Sequence, residues 1–96
     1  MLTWPNKDPD EVLDYELDWA DPDHPRLVSG ETLVTSTWTV VEGDVVVDSE
    51  DFAPSGLTTI WLSAGSPGTL CVLLNRVTTS GGRTYDQSVK LRIRSK

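Results

Sequence analysis

The side chains that most often catalyse reactions or bind metals are few in this 96-residue chain, and they lie far apart. The only histidine, His24, lies between Asp23 and Pro25 in a segment rich in turn-forming residues, where a solvated side chain is expected. The only cysteine, Cys71, lies in the apolar run Leu70–Leu74, which predicts a buried structural thiol. Catalysis needs a nucleophile, an acid or base and a charge-stabilising group in one cleft. The sequence therefore predicts that the protein is not an enzyme.

Acidic residues cluster twice near the start of the chain, and clustered carboxylates are ligands that calcium prefers. One cluster consists of Asp8, Asp10 and Glu11, and the other of Asp21 and Asp23. The second cluster lacks the glycine turn and the distal bidentate acid of a calcium loop. The lone cysteine and histidine have no further ligands at short range. We therefore expect no metal ion and no other cofactor.

Alternation of apolar and polar residues, with no convincing helical periodicity, runs through most of the chain. Strands are predicted at residues 12–19, 31–41, 45–47, 57–63, 69–79 and 84–94. The acidic residues 48–51 are expected to end the third of these strands, and Ser80-Gly81-Gly82-Arg83 to form a hairpin rather than a phosphate loop. Six or seven short strands joined by turns predict an all-β fold, an immunoglobulin-like antiparallel β-sandwich without a cysteine pair.

The same alternation predicts which side chains face the core. Two of the four tryptophans are expected there: Trp19 and Trp38. In the strand at 31–41, Val34 is expected on the side of Trp38, and Leu33 on the other side. In the strand at 57–63, alternation sends Trp61 outward, and tryptophan is a frequent anchor of protein interfaces.

Residues 1–11 are polar and contain two prolines, so they predict an extended N-terminal arm with few contacts, ahead of a sandwich domain at residues 12–96. Trp4 is the exception within this arm. It is expected to act either as a peg in a neighbour's pocket or as a lid on its own domain, and the sequence leaves both open.

Charge is distributed unevenly along the chain. Residues 1–51 hold 14 acidic side chains against Lys7 and Arg26, a balance of −12, whereas residues 52–96 have a balance of +5. The two halves are expected either to pair within one sandwich or to offer opposite charges on opposite edges, with the acidic arm at one edge and the basic last strand at the other. The net charge of −7 disfavours nucleic acid as a partner, and no apolar run approaches the roughly 18 residues of a membrane helix.

Several side chains in these segments are candidates for contact with a partner. They are Trp4, Asp8, Asp10, Trp61, Arg83, Lys90, Arg92 and Arg94. The last strand is also a candidate for pairing with a strand of a partner at the sheet edge.

Blocks of the sequence, in order from about Asp8 to Arg94, resemble a family of small tailed-bacteriophage proteins described as fibre-tail adaptor proteins. The blocks are Asp8-Pro9-Asp10-Glu11-Val12-Leu13-Asp14-Tyr15, Leu17-Asp18-Trp19, Thr35-Ser36-Thr37-Trp38-Thr39-Val40, Thr59-Ile60-Trp61-Leu62-Ser63-Ala64-Gly65 and Asn75-Arg76-Val77-Thr78-Thr79-Ser80-Gly81-Gly82-Arg83. The family offers no catalytic residues to transfer to this chain.

The resemblance implies a structural protein of the virion, located in the tail region, that docks a fibre or another tail component. Its implied partners are tail, portal-ring or fibre proteins and further copies of itself in a ring. The start of the chain lacks the pattern of a secretory signal, so synthesis in the host cytoplasm is expected. Deletion of residues 1–11 is expected to leave the fold intact and abolish incorporation into the particle. The alternatives are a capsid decoration protein and a host-surface glycan-binding module.

Overall fold

The computed structural model describes residues 2–21 and 26–96, and the predictions for Asp23 and His24 fall outside them. Seven strands occur in the described part of the chain. They are β1 (Leu2–Thr3), β2 (Leu13–Asp18), β3 (Leu33–Glu42), β4 (Val45–Phe52), β5 (Leu57–Ala64), β6 (Leu70–Thr79) and β7 (Thr84–Arg92). They form a four-stranded sheet in the order β1-β7-β6-β3 and a three-stranded sheet in the order β2-β5-β4. This arrangement confirms the predicted β-sandwich.

The inner faces of the two sheets meet in an apolar core, as the alternation predicts. On β5, Ile60 and Leu62 are fully buried, and on β6 the fully buried side chains include Cys71 and Leu73. The core tryptophans are also placed as predicted, with Trp19 and Trp38 only 1% and 7% exposed. Period-two alternation on central strands therefore suffices to identify most of the core.

One fully buried amide, that of Asn75 on β6, links the two sheets across the core. Its Oδ1 accepts hydrogen bonds from Trp19 Nε1 at 2.9 Å and from Thr58 Oγ1 at 3.1 Å. Its Nδ2 donates to Ser36 Oγ and to the carbonyl oxygen of Thr37, both at 3.0 Å. All the usual hydrogen-bonding positions of this amide are thus occupied, as a buried polar group requires.

The prediction for the start of β3 is wrong, because the ladder between β3 and β6 contains a bulge. The register shifts between Leu33 and Thr35, so that Leu33 is buried at 3% exposure and Val34 is 55% exposed. One extra residue in one strand reverses the facing of every residue beyond it.

The prediction that residues 48–51 end a short strand is also wrong, because β4 continues through them to Phe52. This strand lies at the edge of the three-stranded sheet, where its carboxylates point into solvent while its backbone pairs with β5. Charged residues are common on edge strands because they discourage unwanted pairing.

The N-terminal segment differs from the predicted arm with few contacts. Leu2 and Thr3 pair in parallel with Val89 and Lys90 of β7, and the ladder resumes where Lys7 bridges Ile93. The backbone N–H of Trp4 donates to the carbonyl oxygen of Lys90 at 2.9 Å, and that of Lys7 donates to Arg92 at 3.1 Å. The segment therefore covers much of the outer edge of β7, and the prediction that the last strand is exposed for strand pairing is wrong over this length.

Two side chains hold the segment against the sandwich. The indole of Trp4 stacks on Tyr15 with ring centroids 4.6 Å apart, and it lies 5.4 Å from the Trp38 ring. Lys7 is fully buried, and its Nζ donates to the carbonyl oxygens of Asp8 at 2.9 Å and Ala64 at 2.7 Å. Of the two roles open to Trp4, the structure shows the lid on its own domain.

Candidate partner-binding surfaces

The outer side of the three-stranded sheet carries acidic side chains and no basic ones, since β2, β4 and β5 contain neither lysine nor arginine. We call this surface the acidic face. Its exposed carboxylates are those of Asp14, Glu16, Asp18, Asp48 and Asp51. They face outward because the alternate residues of the same strands fill the core.

Trp61 lies in the middle of the acidic face, on the central strand β5. Its side chain is 42% exposed, as the alternation predicts, and its register partners are Asp14 on β2 and Ser49 on β4. Side chains that are directly opposite on adjacent strands lie about 5 Å apart at Cβ. A large aromatic ring therefore projects from a surface of carboxylates and hydroxyls.

The opposite side of the molecule, the outer side of the four-stranded sheet, carries a basic surface beside an apolar strip. Lys90, Arg92 and Arg94 are exposed at alternate positions around the buried Leu91 and Ile93. On β6, three half-buried aliphatic side chains share this outer side: Leu70, Val72 and Leu74. Val72 is the register partner of Lys90, and Leu70 that of Arg92. We call these six residues the basic face.

The predicted contact residues Asp8 and Asp10 lie where the N-terminal segment meets the end of the chain. Asp8 Oδ1 accepts a hydrogen bond from the N–H of Asp10 at 2.8 Å, and Oδ2 accepts one from the N–H of Lys96 at 2.7 Å. These two donors hold the pKa of the Asp8 carboxyl below its ordinary value. The Lys96 ammonium also pairs with Glu11 at 2.8 Å.

This placement contradicts the alternative in which the acidic arm and the basic last strand lie at opposite edges. The segment runs directly beside β7, and Lys7 accepts a backbone hydrogen bond from Arg94 at 2.8 Å. The opposite charges of the molecule instead lie on the outer sides of the two sheets.

Arg83, another predicted contact residue, lies in the hairpin between β6 and β7. It donates to Glu31 Oε2 at 2.9 Å, and the hydroxyl of Thr79 donates to the same oxygen at 2.5 Å. The Thr79 hydroxyl, the N–H of Val28 and the Arg83 guanidinium hold the pKa of Glu31 below its ordinary value. About half of the Arg83 side chain remains exposed.

A groove of about 450 Å³ opens between β1 and β2. The guanidinium of Arg26 lies 4.8 Å from the centre of the Trp19 ring in its wall, and it also donates to Gln87 Oε1. Glu16 and Asp18 line the same groove. The described lining includes no histidine, cysteine or serine, so these residues offer polar and aromatic contacts without a nucleophile–base pair.

Within residues 2–21 and 26–96, no group of three or more histidine, cysteine or acidic side chains is arranged to hold a metal ion. In the same part of the chain, no helix has the length and apolar character needed to cross a bilayer. The thiol of Cys71 is buried, in agreement with the prediction.

The eight predicted contact residues therefore do not form one site. Lys90, Arg92 and Arg94 lie together, Trp61 lies on the opposite side, and the others lie at the N-terminal segment and one hairpin. Asp14 and Glu16 were not among the predicted contact residues, although both are exposed on the acidic face. The signal that could have found this surface is the lack of any lysine or arginine in β2, β4 and β5.

The two packed sheets define an immunoglobulin-like β-sandwich, and its described outer faces carry opposite charges. A PKD domain from KIAA 1837 protein, solved in solution, has a similar fold, with a TM-score of 0.54 and 17% sequence identity over 97% of this chain and 83% of that one. No curated protein sequence matches the chain. The model of the Gp77 family, podophage GP4 fiber-tail adaptor protein gp77, matches residues 7–92, and the chain belongs to that family.

Proposed function

We propose that this protein is a structural adaptor of a podophage virion that docks a fibre or another component to the tail. The observation that carries this proposal is the family match, which spans nearly the whole sandwich. The geometry supports it, because the described surface offers an exposed aromatic ring among carboxylates on one side and a basic surface on the other. Such surfaces suit contact with several protein neighbours at once.

In this proposal, copies made in the host cytoplasm assemble in the tail region of the virion, repeated around a tail or portal ring. Each copy acts through binding alone and catalyses no reaction. Its neighbours are tail, portal-ring or fibre proteins, with further copies of the chain beside it.

The test is a reconstruction by electron cryo-microscopy of the particle that carries this chain, compared with particles made without it. We expect density for the sandwich between the tail and the fibres, and loss of fibres from particles that lack the chain. Density on the capsid shell, with fibres retained on the deletion particles, would contradict the adaptor role and make the chain a decoration protein.

The glycan-binding alternative is tested with the purified protein. The exposed Trp61 beside Asp14 is the feature that would serve it, since a sugar ring can stack on an aromatic side chain while carboxylates accept its hydroxyls. A glycan array is expected to give no signal that depends on Trp61. A signal lost in the Trp61→Ala variant would favour the glycan-binding function instead.

A further inference from the structure

The ion pairs within the described part of the sandwich do not involve the charged side chains of the acidic face or the basic face. The described residues form three ion pairs: Arg76–Asp86, Arg83–Glu31 and Lys96–Glu11. None of the three includes a carboxylate of the acidic face or a cation of the basic face. Both faces therefore keep their charges available for a second molecule.

The two faces also match in their apolar parts. Trp61 projects from the centre of the acidic face, and the half-buried strip of Leu70, Val72 and Leu74 lies next to cations on the basic face. An aromatic side chain that inserts between aliphatic neighbours, with charged groups around it, is the usual composition of an interface hot spot. The carboxylates around Trp61 would then face Lys90 and Arg92.

We propose that copies of this protein bind one another with the acidic face of one copy against the basic face of the next, and with Trp61 as the anchor. Two sheets that meet face to face pack about 10 Å apart, so both sets of side chains come within reach. The opposite charges select this pairing, because two acidic or two basic faces repel each other.

The contact is heterologous, since it joins two different surfaces of the same chain. The two faces lie on opposite sides of a sandwich that is only 18 Å across in its thinnest dimension. Each bound copy therefore still presents one free face, and the series either closes into a ring or continues as a filament. The place of this contact in a tail ring rests on the proposed function, whereas the contact itself does not.

The test uses two variants of the full chain, each with one face disabled. Trp61→Thr with Asp14→Lys disables the acidic face, and Lys90→Glu with Arg92→Glu disables the basic face. Asp10→Lys serves as a control, because it makes the same charge change as Asp14→Lys on an exposed residue outside both faces. Circular dichroism establishes that every variant is folded before association is measured.

The measurement is sedimentation equilibrium of the purified proteins at 50 mM and 500 mM salt, up to about 1 mM protein. We expect the unmodified chain and the control to self-associate, with the association constant falling about tenfold or more at high salt. Each one-face variant is expected to stay monomeric alone. An equal mixture of the two is expected to form a 1:1 complex and nothing larger, because only one complementary pair of faces remains.

The proposal is overturned if the unmodified chain stays monomeric, or if the mixture of variants fails to form the 1:1 complex. A monomeric unmodified chain that binds a basic fibre protein, with this binding reduced in the variant carrying Trp61→Thr and Asp14→Lys, would overturn the proposal and assign the acidic face to that other partner. Tail density without self-association would refute this contact and leave the adaptor role intact. Self-association together with density on the capsid would support this contact and refute the adaptor role.

Discussion

Replacement of Asn75 by leucine tests whether the buried amide holds the two sheets together. Leucine has the same number and branching of side-chain heavy atoms as asparagine, and it makes none of the four hydrogen bonds of the amide. The indole N–H of Trp19, whose ring is 1% exposed, then lacks its acceptor. The hydroxyl of Thr58 loses less, because it also reaches the carbonyl oxygen of Leu17 at 3.0 Å.

The expected loss of unfolding free energy follows from the hydrogen bonds that these partners lose. An orphaned buried donor costs about 1–3 kcal/mol, and each of the other lost hydrogen bonds contributes about 0.5–1.5 kcal/mol. Burial of the leucine side chain offsets part of this loss, since it contributes about 1.5–3 kcal/mol of its own. We therefore expect Asn75→Leu to lower the free energy of unfolding by about 2–4 kcal/mol. For a domain of this size that lowers Tm by roughly 10–30 °C.

The assay is thermal and urea unfolding, followed by circular dichroism, within a double-mutant cycle. Trp19→Phe removes the indole N–H, so Asn75→Leu is expected to cost about 1–2 kcal/mol less in that background. Thr58→Val, which removes a single shared donor, serves as the mild control, with an expected cost of about 1 kcal/mol. A Tm for Asn75→Leu within about 3 °C of the unmodified chain, or strictly additive costs in the cycle, would refute the reasoning.

Three further predictions concern other parts of the sandwich. Gly43→Ala is expected to lower the free energy of unfolding by roughly 1–3 kcal/mol, because the new Cβ would lie 2.4 Å from Cys71 Sγ at a residue whose φ is +93°. Trp4→Ala is expected to cost about 2 kcal/mol through loss of aromatic stacking, whereas the exposed Trp61→Ala should change stability by less than about 0.5 kcal/mol. Stability is expected to fall as the pH drops below the ordinary pKa of Glu31, because its pKa is lower in the folded state.

Each of these predictions has its own control. Gly68→Ala is the control for Gly43→Ala, because Gly68 has a similar φ of +83° but no atom lies within 4 Å of the new Cβ. The difference between the two variants in unfolding free energy therefore measures the clash with the thiol. Equal losses of unfolding free energy in Gly43→Ala and Gly68→Ala would show that the contact with the thiol does not contribute to the destabilisation. If the variants at Trp4 and Trp61 are equally stable, the N-terminal segment does not stabilise the fold. The Glu31→Gln variant should show a weaker loss of stability in acid, and an unchanged acid profile would exclude this carboxylate as its source.

The fold was predictable from the sequence wherever strands alternate without interruption. On β5, Ile60 and Leu62 point into the core and Trp61 points outward, and this follows from their order in the sequence alone. Successive side chains of a regular strand with a partner on each side point to alternate faces of the sheet. The predicted position of Val34 was wrong because β3 has a bulge there. A bulge depends on how a strand pairs with its partner, and the sequence of β3 alone does not show this pairing.

The N-terminal segment could not be predicted for a similar reason. Residues 2–7 contain no apolar alternation, and their stability comes from the stacking of Trp4 and the burial of Lys7 against elements far along the chain. Removal of residues 1–11 is therefore expected to destabilise the sandwich, contrary to the expectation from sequence. The acidic face was also hidden, since it brings β2 beside β5 and β4, from which β3 separates it in the sequence. The cations of the basic face, by contrast, alternate along the last strand and were visible in the sequence.

The parallel pairing of β1 with β7 determines how the sandwich bears mechanical load. The segment that begins at Leu2 and the strand that ends at Arg92 run side by side in the same direction. Tension applied to both ends of the chain therefore pulls along the strands, and it strains the hydrogen bonds between Trp4 and Lys90 and between Lys7 and Arg92 together, in shear. Bonds that must break together resist more force than bonds that open one after another, so this pairing is expected to resist tension between the two ends of the chain without opening bond by bond.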